Sequence, residues 1–133
     1  MSTILRQVVT ERANACCEYC HYPQCVNDGV LHLDHIIPSR FGGTHTADNR
    51  ALACQHCNLS KRDKIEGIDP LTHQVTPLFH PRQQHWNEHF RLERSTGEII
   101  PLTSTGRVTV QELRFNRSNM IRLRIVLIEM GEV

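Results

Sequence analysis

Apolar residues at Ile4, Leu5, Val8, Val9 and Ala13, with Arg6, Glu11 and Arg12 between them, predict a helix with one buried face. Ser2 or Thr3 would cap it, and it should end near Ala15. The stretch CCEYCHYPQC after it is turn-like and crowded with sulfur. Residues 30–36 then predict a strand, closed by Pro38, and SRFGGTHTADN has the Gly, Thr, Asp and Asn content of a loop. Residues 50–53 predict a short second strand, and a helix is expected from about Gln55 through Lys64 to Gly67. Beyond Gly67 the texture changes. Pro70, Pro77 and Pro81 mark residues 69–81 as an extended connector, and residues 85–93 and 98–102 predict two strands around a turn at 95–97. Two helices are expected over 105–115 and 118–130, the second with Met120, Leu123, Val126, Leu127 and Met130 available for a buried face.

This order of elements is α+β, and 133 residues suit one module, 1–66, with a C-terminal extension, 67–133, packing on it. Apolar content of 39 % and charged content of 22 % exclude wholesale disorder. A net charge of +1 gives no global sign of a nucleic-acid binder, so any such surface has to be a local patch. No stretch approaches the roughly 20 apolar residues of a membrane span. The first residues, MSTILRQVVTERANA, lack a signal-peptide core, so a cytoplasmic protein is expected. In that compartment six cysteines are metal ligands or thiols rather than disulfides.

The run LHLDHIIPSRFGG places Asp34 and His35 side by side inside an apolar strand, where a carboxylate and an imidazole are costly without a purpose. Around them stand two CxxC pairs, Cys17 with Cys20 and Cys54 with Cys57. Two thiolate pairs on short turns suit the tetrahedral demand of structural Zn²⁺, against the alternative of redox or buried thiol pairs. Cys16 and Cys25 are extras, and Cys25 with His21 offers a weaker ligand set with no matching second half. A zinc frame would fix Asp34 and His35 relative to Asn58 just past Cys57. Asp34 and Asn58 are oxygen donors of the kind a hard cation such as Mg²⁺ takes, and His35 beside it could act as general base. Asn49, just ahead of the second strand, is placed to hydrogen-bond across the loop.

At these residues the sequence resembles the HNH endonucleases of the ββα-metal (His-Me finger) fold. The likeness covers about residues 17–64: CEYC, LDHIIPSRFGGTHTADNRALAC and QHCNLSKRDK. It implies a ββα-metal nuclease module with structural zinc on Cys17, Cys20, Cys54 and Cys57, preceded by a helix and followed by a strand-and-helix extension. It also implies His35 as general base, Asn49 as the loop-holding residue, and Asp34 and Asn58 as ligands of a catalytic Mg²⁺ or Mn²⁺, other divalent ions being open. Asn58 stands where the family often has His. The segments PLFHPRQQHWNEHF and LTSTGRVTVQELRFNR resemble the tail of a group of bacterial, notably cyanobacterial, members.

The implied reaction is hydrolysis of phosphodiester bonds in nucleic acid, DNA favoured, leaving 5′-phosphate and 3′-hydroxyl ends. Lys61, Arg62 and Lys64, with Arg40 and Arg50, are expected to contact flanking phosphates, though a helix-end cluster of cations is equally an ordinary solvated face. Arg107, Arg114, Arg117, Arg122 and Arg124 could extend that surface, and His45 could help at the phosphate. A double-strand cutter with one site per chain favours a homodimer. The competing expectation is a catalytically silent, zinc-stabilised nucleic-acid-binding module.

Overall fold

The computed structural model describes residues 3–22 and 31–133, so Ser2, Cys25 and Val30 lie outside the described residues. The chain divides into two compact units, Met1–Ile65 with His80–Gln84, and Glu66–Phe79 with His85–Val133.

The first unit opens with helix α1, Thr3–Arg12, which buries Val9. Two arginines fasten it to the rest of the unit: Arg6 donates to the Leu31 carbonyl, and Arg12 Nη2 to the carbonyls of Ala47 and Arg50. Strands β1, His32–His35, and β2, Arg50–Ala53, pair antiparallel, with Leu33 opposite Leu52, Asp34 opposite Ala51 and His35 opposite Arg50. Every residue of β2 is buried. The loop between the strands has two short 3₁₀ turns, Ser39–Phe41 and Ala47–Asn49. Helix α2, Gln55–Lys61, comes directly after β2, and the Cys54 side chain caps it by accepting from the Cys57 N–H. The helix is shorter than the expected run to Gly67. Arg62 takes a φ of 54°, which ends the α-helical path, and the chain leaves as a strand.

In the second unit the proline-rich stretch is not a plain connector. Strands β3, Glu66–Ile68, and β4, Val75–Pro77, form an antiparallel hairpin. Asp69 fixes its turn by accepting from the Leu71 N–H and the Thr72 hydroxyl. The strand expected over 85–93 is split into one helical turn, α3, Trp86–His89, and strand β5, Phe90–Glu93. Strand β6, Glu98–Pro101, completes a second hairpin. Helix α4, Ser104–Glu112, starts where the Thr103 side chain accepts from the Gly106 N–H, and α5, Ser118–Glu129, is the last element. Gly106 allows α4 to lie close to α3, because a Cβ there would sit 2.3 Å from the His89 carbonyl oxygen. Between β6 and α5, Asn116 clamps Ile99 by bonding both its N–H and its carbonyl.

The core of this unit is aromatic and aliphatic. Phe90 lies 5.3 Å from Phe79 and 5.5 Å from Phe115, ring to ring, with Ile99, Val108 and Leu113 buried around them. Burying each such side chain is worth about 1.5–3 kcal/mol. Among the described residues no helix is long and apolar enough to cross a membrane.

Candidate active site and metal frame

Four buried cysteines, Cys17, Cys20, Cys54 and Cys57, bring their sulfurs within 4.8 Å of one another. Cys20 and Cys54 Sγ are 3.7 Å apart. A tetrahedral zinc with Zn–S bonds of about 2.3 Å needs sulfurs about 3.8 Å apart, so the donor set and its spacing fit the ion. The two halves are built alike: the Cys20 N–H points to Cys17 Sγ at 3.5 Å, and the Cys57 N–H to Cys54 Sγ at 3.4 Å. Hydrogen bonds from Cys17, Cys20 and Cys57 drive the Cys54 thiol toward thiolate, while burial pushes Cys57 up. Four packed sulfurs that cannot all lose their protons are what a divalent cation resolves.

Tyr19, between the first two cysteines, connects this frame to the strand pair. Its hydroxyl donates to Asp34 Oδ2 at 2.7 Å, and both groups are buried. The same carboxylate oxygen meets Lys61 Nζ at 3.1 Å. Lys61 is 2 % exposed and also donates to the carbonyls of His35 and Ile36. Burial nevertheless pushes the Asp34 carboxyl up, against the pull of Lys61 and Tyr19. The tyrosine is held well above its ordinary range by burial and then by Asp34, so it stays a donor.

His35 turns to a different set of partners. Its Nε2 lies 2.8 Å from His45 Nδ1, and its Nδ1 lies 3.5 Å from Arg50 Nη1. Partial burial, then the charge of Arg50, then His45 hold the imidazole below its ordinary range. Asn49 fastens the loop that carries His45. Its Nδ2 donates to the carbonyls of Ile37 and Thr44, and its Oδ1 accepts from the Ile37 N–H. The loop closes so tightly that a Cβ on Gly43 would lie 1.7 Å from the Ile37 carbonyl oxygen. Asn58 is half-buried one helical turn before Lys61, so the two share a face of α2.

The cations expected at flanking phosphates separate into two groups. Lys61 and Arg50 are 2 % and 6 % exposed, and their place is corrected: one is the partner of Asp34, the other spans from the Leu33 carbonyl to His35. A buried carboxylate takes the nearest cation inside with it. Arg40 and Arg62 are exposed and Lys64 is half-buried. Arg40 lies over the Phe41 ring and pairs with Asp63 at 3.1 Å. In the second unit Arg107 is bound to Asp69 through two hydrogen bonds, and Arg124 is buried and donates to the Phe115 carbonyl, so neither extends a basic surface. Tyr19 carried no signal in the sequence beyond its place inside CEYC.

Residues 17–64 match the family model for HNH endonuclease. This segment is an HNH domain. It contains both CxxC pairs, the strand pair with Asp34 and His35, and all of α2. The likeness to this family of nucleic-acid-cleaving, metal-using proteins covers residues 17–64 and does not reach the second unit. Neither the curated proteins nor the solved structures gave a match.

Proposed function

We propose that the HNH domain is a metal-dependent endonuclease acting on DNA, with His35 as general base and Asp34 and Asn58 as ligands of Mg²⁺ or Mn²⁺. The observation that carries this reading is the state of His35: half-exposed, kept below its ordinary pKa, and partnered on Nε2 by His45. An imidazole neutral at pH 7 accepts a proton. If Nε2–H donates to His45 Nδ1, the lone pair stays on Nδ1, which faces an arginine nitrogen at the long distance of 3.5 Å.

The water proton passes to His35 as the water oxygen forms a bond to phosphorus. The bond to the 3′ oxygen breaks, and that oxygen takes a proton from solvent, leaving 5′-phosphate and 3′-hydroxyl ends. A divalent ion, when bound, supplies neutralisation of the phosphate charge. Tyr19 and Lys61 both engage Asp34 Oδ2, so Oδ1 is the oxygen left for that ion. Asn49 holds the loop and with it His45. Arg40, Arg62 and Lys64 are the surface cations suited to flanking phosphates.

A second reading, a silent zinc-stabilised binding module, draws on one observation: Lys61 already balances the charge of Asp34. Supercoiled plasmid incubated with zinc-loaded protein separates the two. The nuclease cuts in Mg²⁺ or Mn²⁺ and stops in excess chelator. Direct appearance of linear product points to paired sites in a homodimer, and nicked circles to single ones. A folded protein that leaves plasmid, single strands and RNA intact in both ions belongs to the second reading.

A further inference from the structure

A surface helix ordinarily confines its apolar residues to one side, and α5 has two such sides. Met120, Arg124 and Leu127, spaced by four and then three, are its buried stripe. Leu123, Val126 and Met130, spaced by three and then four, form a second stripe and are 40 %, 49 % and 60 % exposed. Arg122 and Glu129 are exposed beside them, and neither side chain has an ion-pair partner among the described residues. The remaining charge on the helix, Arg124, is buried, and Arg117 and Glu132 stand outside its ends.

The positions of these five residues match one another about Val126. At about 3.6 residues per turn, Leu123 and Met130 fall on one flank of Val126 and Arg122 and Glu129 on the other. Along the axis Arg122 precedes Val126 by about 6 Å and Glu129 follows it by about 4.5 Å. Leu123 precedes it by about 4.5 Å and Met130 follows it by about 6 Å. A two-fold axis beside Val126, perpendicular to the helix, reverses the helix direction and keeps each flank on its own side. It brings Arg122 to Glu129 of a second copy, Leu123 to Met130, and Val126 to itself, every contact but the last occurring twice. A parallel pair would instead lay the charged flank on Leu123 and Met130 and leave Arg122 and Glu129 unmatched.

We infer that this side of α5 is a docking surface for a second copy of the chain, packed antiparallel about Val126. Three apolar side chains from each copy leave water, and the two ion pairs set the direction. The face of one helix is smaller than a standard interface, so the pair is weak and forms as concentration rises. The surface lies in the second unit and does not depend on the nuclease reading. Where both hold, the dimer carries two candidate active sites.

The test is sedimentation equilibrium of the zinc-loaded full chain, without nucleic acid, over a concentration series up to millimolar. Monomer should give way to dimer and to nothing larger, because a two-fold contact is closed. Val126→Glu sets two carboxylates against each other at the axis and should leave monomer throughout. Arg122→Glu and Glu129→Arg, both on exposed side chains, turn both ion pairs into like-charge contacts. Each should weaken association at least about ten-fold. Mixed in equal amounts, these two variants restore opposite charges at both contacts and should associate as strongly as wild type. A wild-type chain that stays monomeric overturns the inference and leaves this side to a different partner. A dimer that survives Val126→Glu, or a mixture no better than either variant alone, overturns it too. No substrate is present, so failure of the nuclease reading would leave every one of these outcomes unchanged.

Discussion

At the centre of the second unit Phe79, Phe90 and Phe115 meet ring to ring, whereas the interior of the first unit sets four cysteines, Tyr19, Asp34 and Lys61 among aliphatic side chains such as Leu31, Ile36 and Leu52. The aromatic unit gains its stability from apolar area, which is non-directional and tolerant of small shifts. The other adds to its apolar burial groups that stabilise only when each partner is in place: sulfurs spaced for an ion, a carboxylate between a hydroxyl and an ammonium, an amide clasping a loop. Such an interior is fragile, but it fixes side-chain positions tightly, and this is where the candidate active site lies.

Removing zinc should break the comparison most strongly. Structural zinc contributes about 10 kcal/mol or more to a small module. Chelation should erase hydrogen-exchange protection across 31–61 and leave it across 90–127. Loss of protection in both segments together would mean that the two interiors do not stand independently. Next comes the buried ion pair. Lys61→Ala strands the Asp34 carboxylate and should lower stability by about 3–5 kcal/mol in urea titration. Phe90→Ala should cost a similar amount, about 3–5 kcal/mol, by leaving a cavity instead. The difference lies in repair: Lys61→Ala should be eased by a second change, Asp34→Asn, and Phe90→Ala by no change of charge.

The two units should also respond to pH with opposite sign. Hydrogen bonds from Arg107 hold the Asp69 carboxyl well below its ordinary range. Its contribution is complete above the unfolded carboxylate value of about 3.9 and is lost as pH falls through the lower folded value. Burial raises Asp34 instead, so its ionisation costs stability as pH rises from the unfolded value through the raised one. Acid titration of Asp69→Asn should show a flatter loss below about pH 4 than wild type. Asp34→Asn should remove a decline on the other side of that value.

The smallest effect is expected at His45. Its imidazole helps hold His35 below its ordinary range, after burial and Arg50. In His45→Ala the acid limb of the cleavage-rate profile should move to higher pH, with a loss at neutral pH of about two- to ten-fold. An unmoved acid limb would mean that His45 does not tune His35.

Much of the first unit was legible because its signals are local. The CxxC spacing, the strand that stops ahead of Pro38 and the Asn ahead of β2 each state their geometry within a few residues, and β2 runs over the expected 50–53. The end of α2 was not legible, since nothing in SKRDK announces that Arg62 leaves the helix with φ at 54°. Nor was the β3–β4 hairpin: Pro70 and Pro77 point to an extended connector, and three-residue strands are too short for an alternating pattern to show. Burial of charge is the deeper gap. Lys61 and Arg50 read as surface cations because lysine and arginine usually are. Their place inside depends on Asp34 and on the Leu33 carbonyl, which only the folded chain brings to them. Residues 80–84 likewise join the first unit through an ion pair with Glu18 that spans more than sixty positions of sequence.

The most direct measurement is the single-turnover cleavage rate of His35→Ala against wild type in Mg²⁺, with zinc content and folding checked, and with and without added imidazole. General-base catalysis predicts a fall of about 10²–10⁴-fold, partly restored by imidazole. A folded, zinc-loaded His35→Ala protein that cuts at the wild-type rate would contradict it.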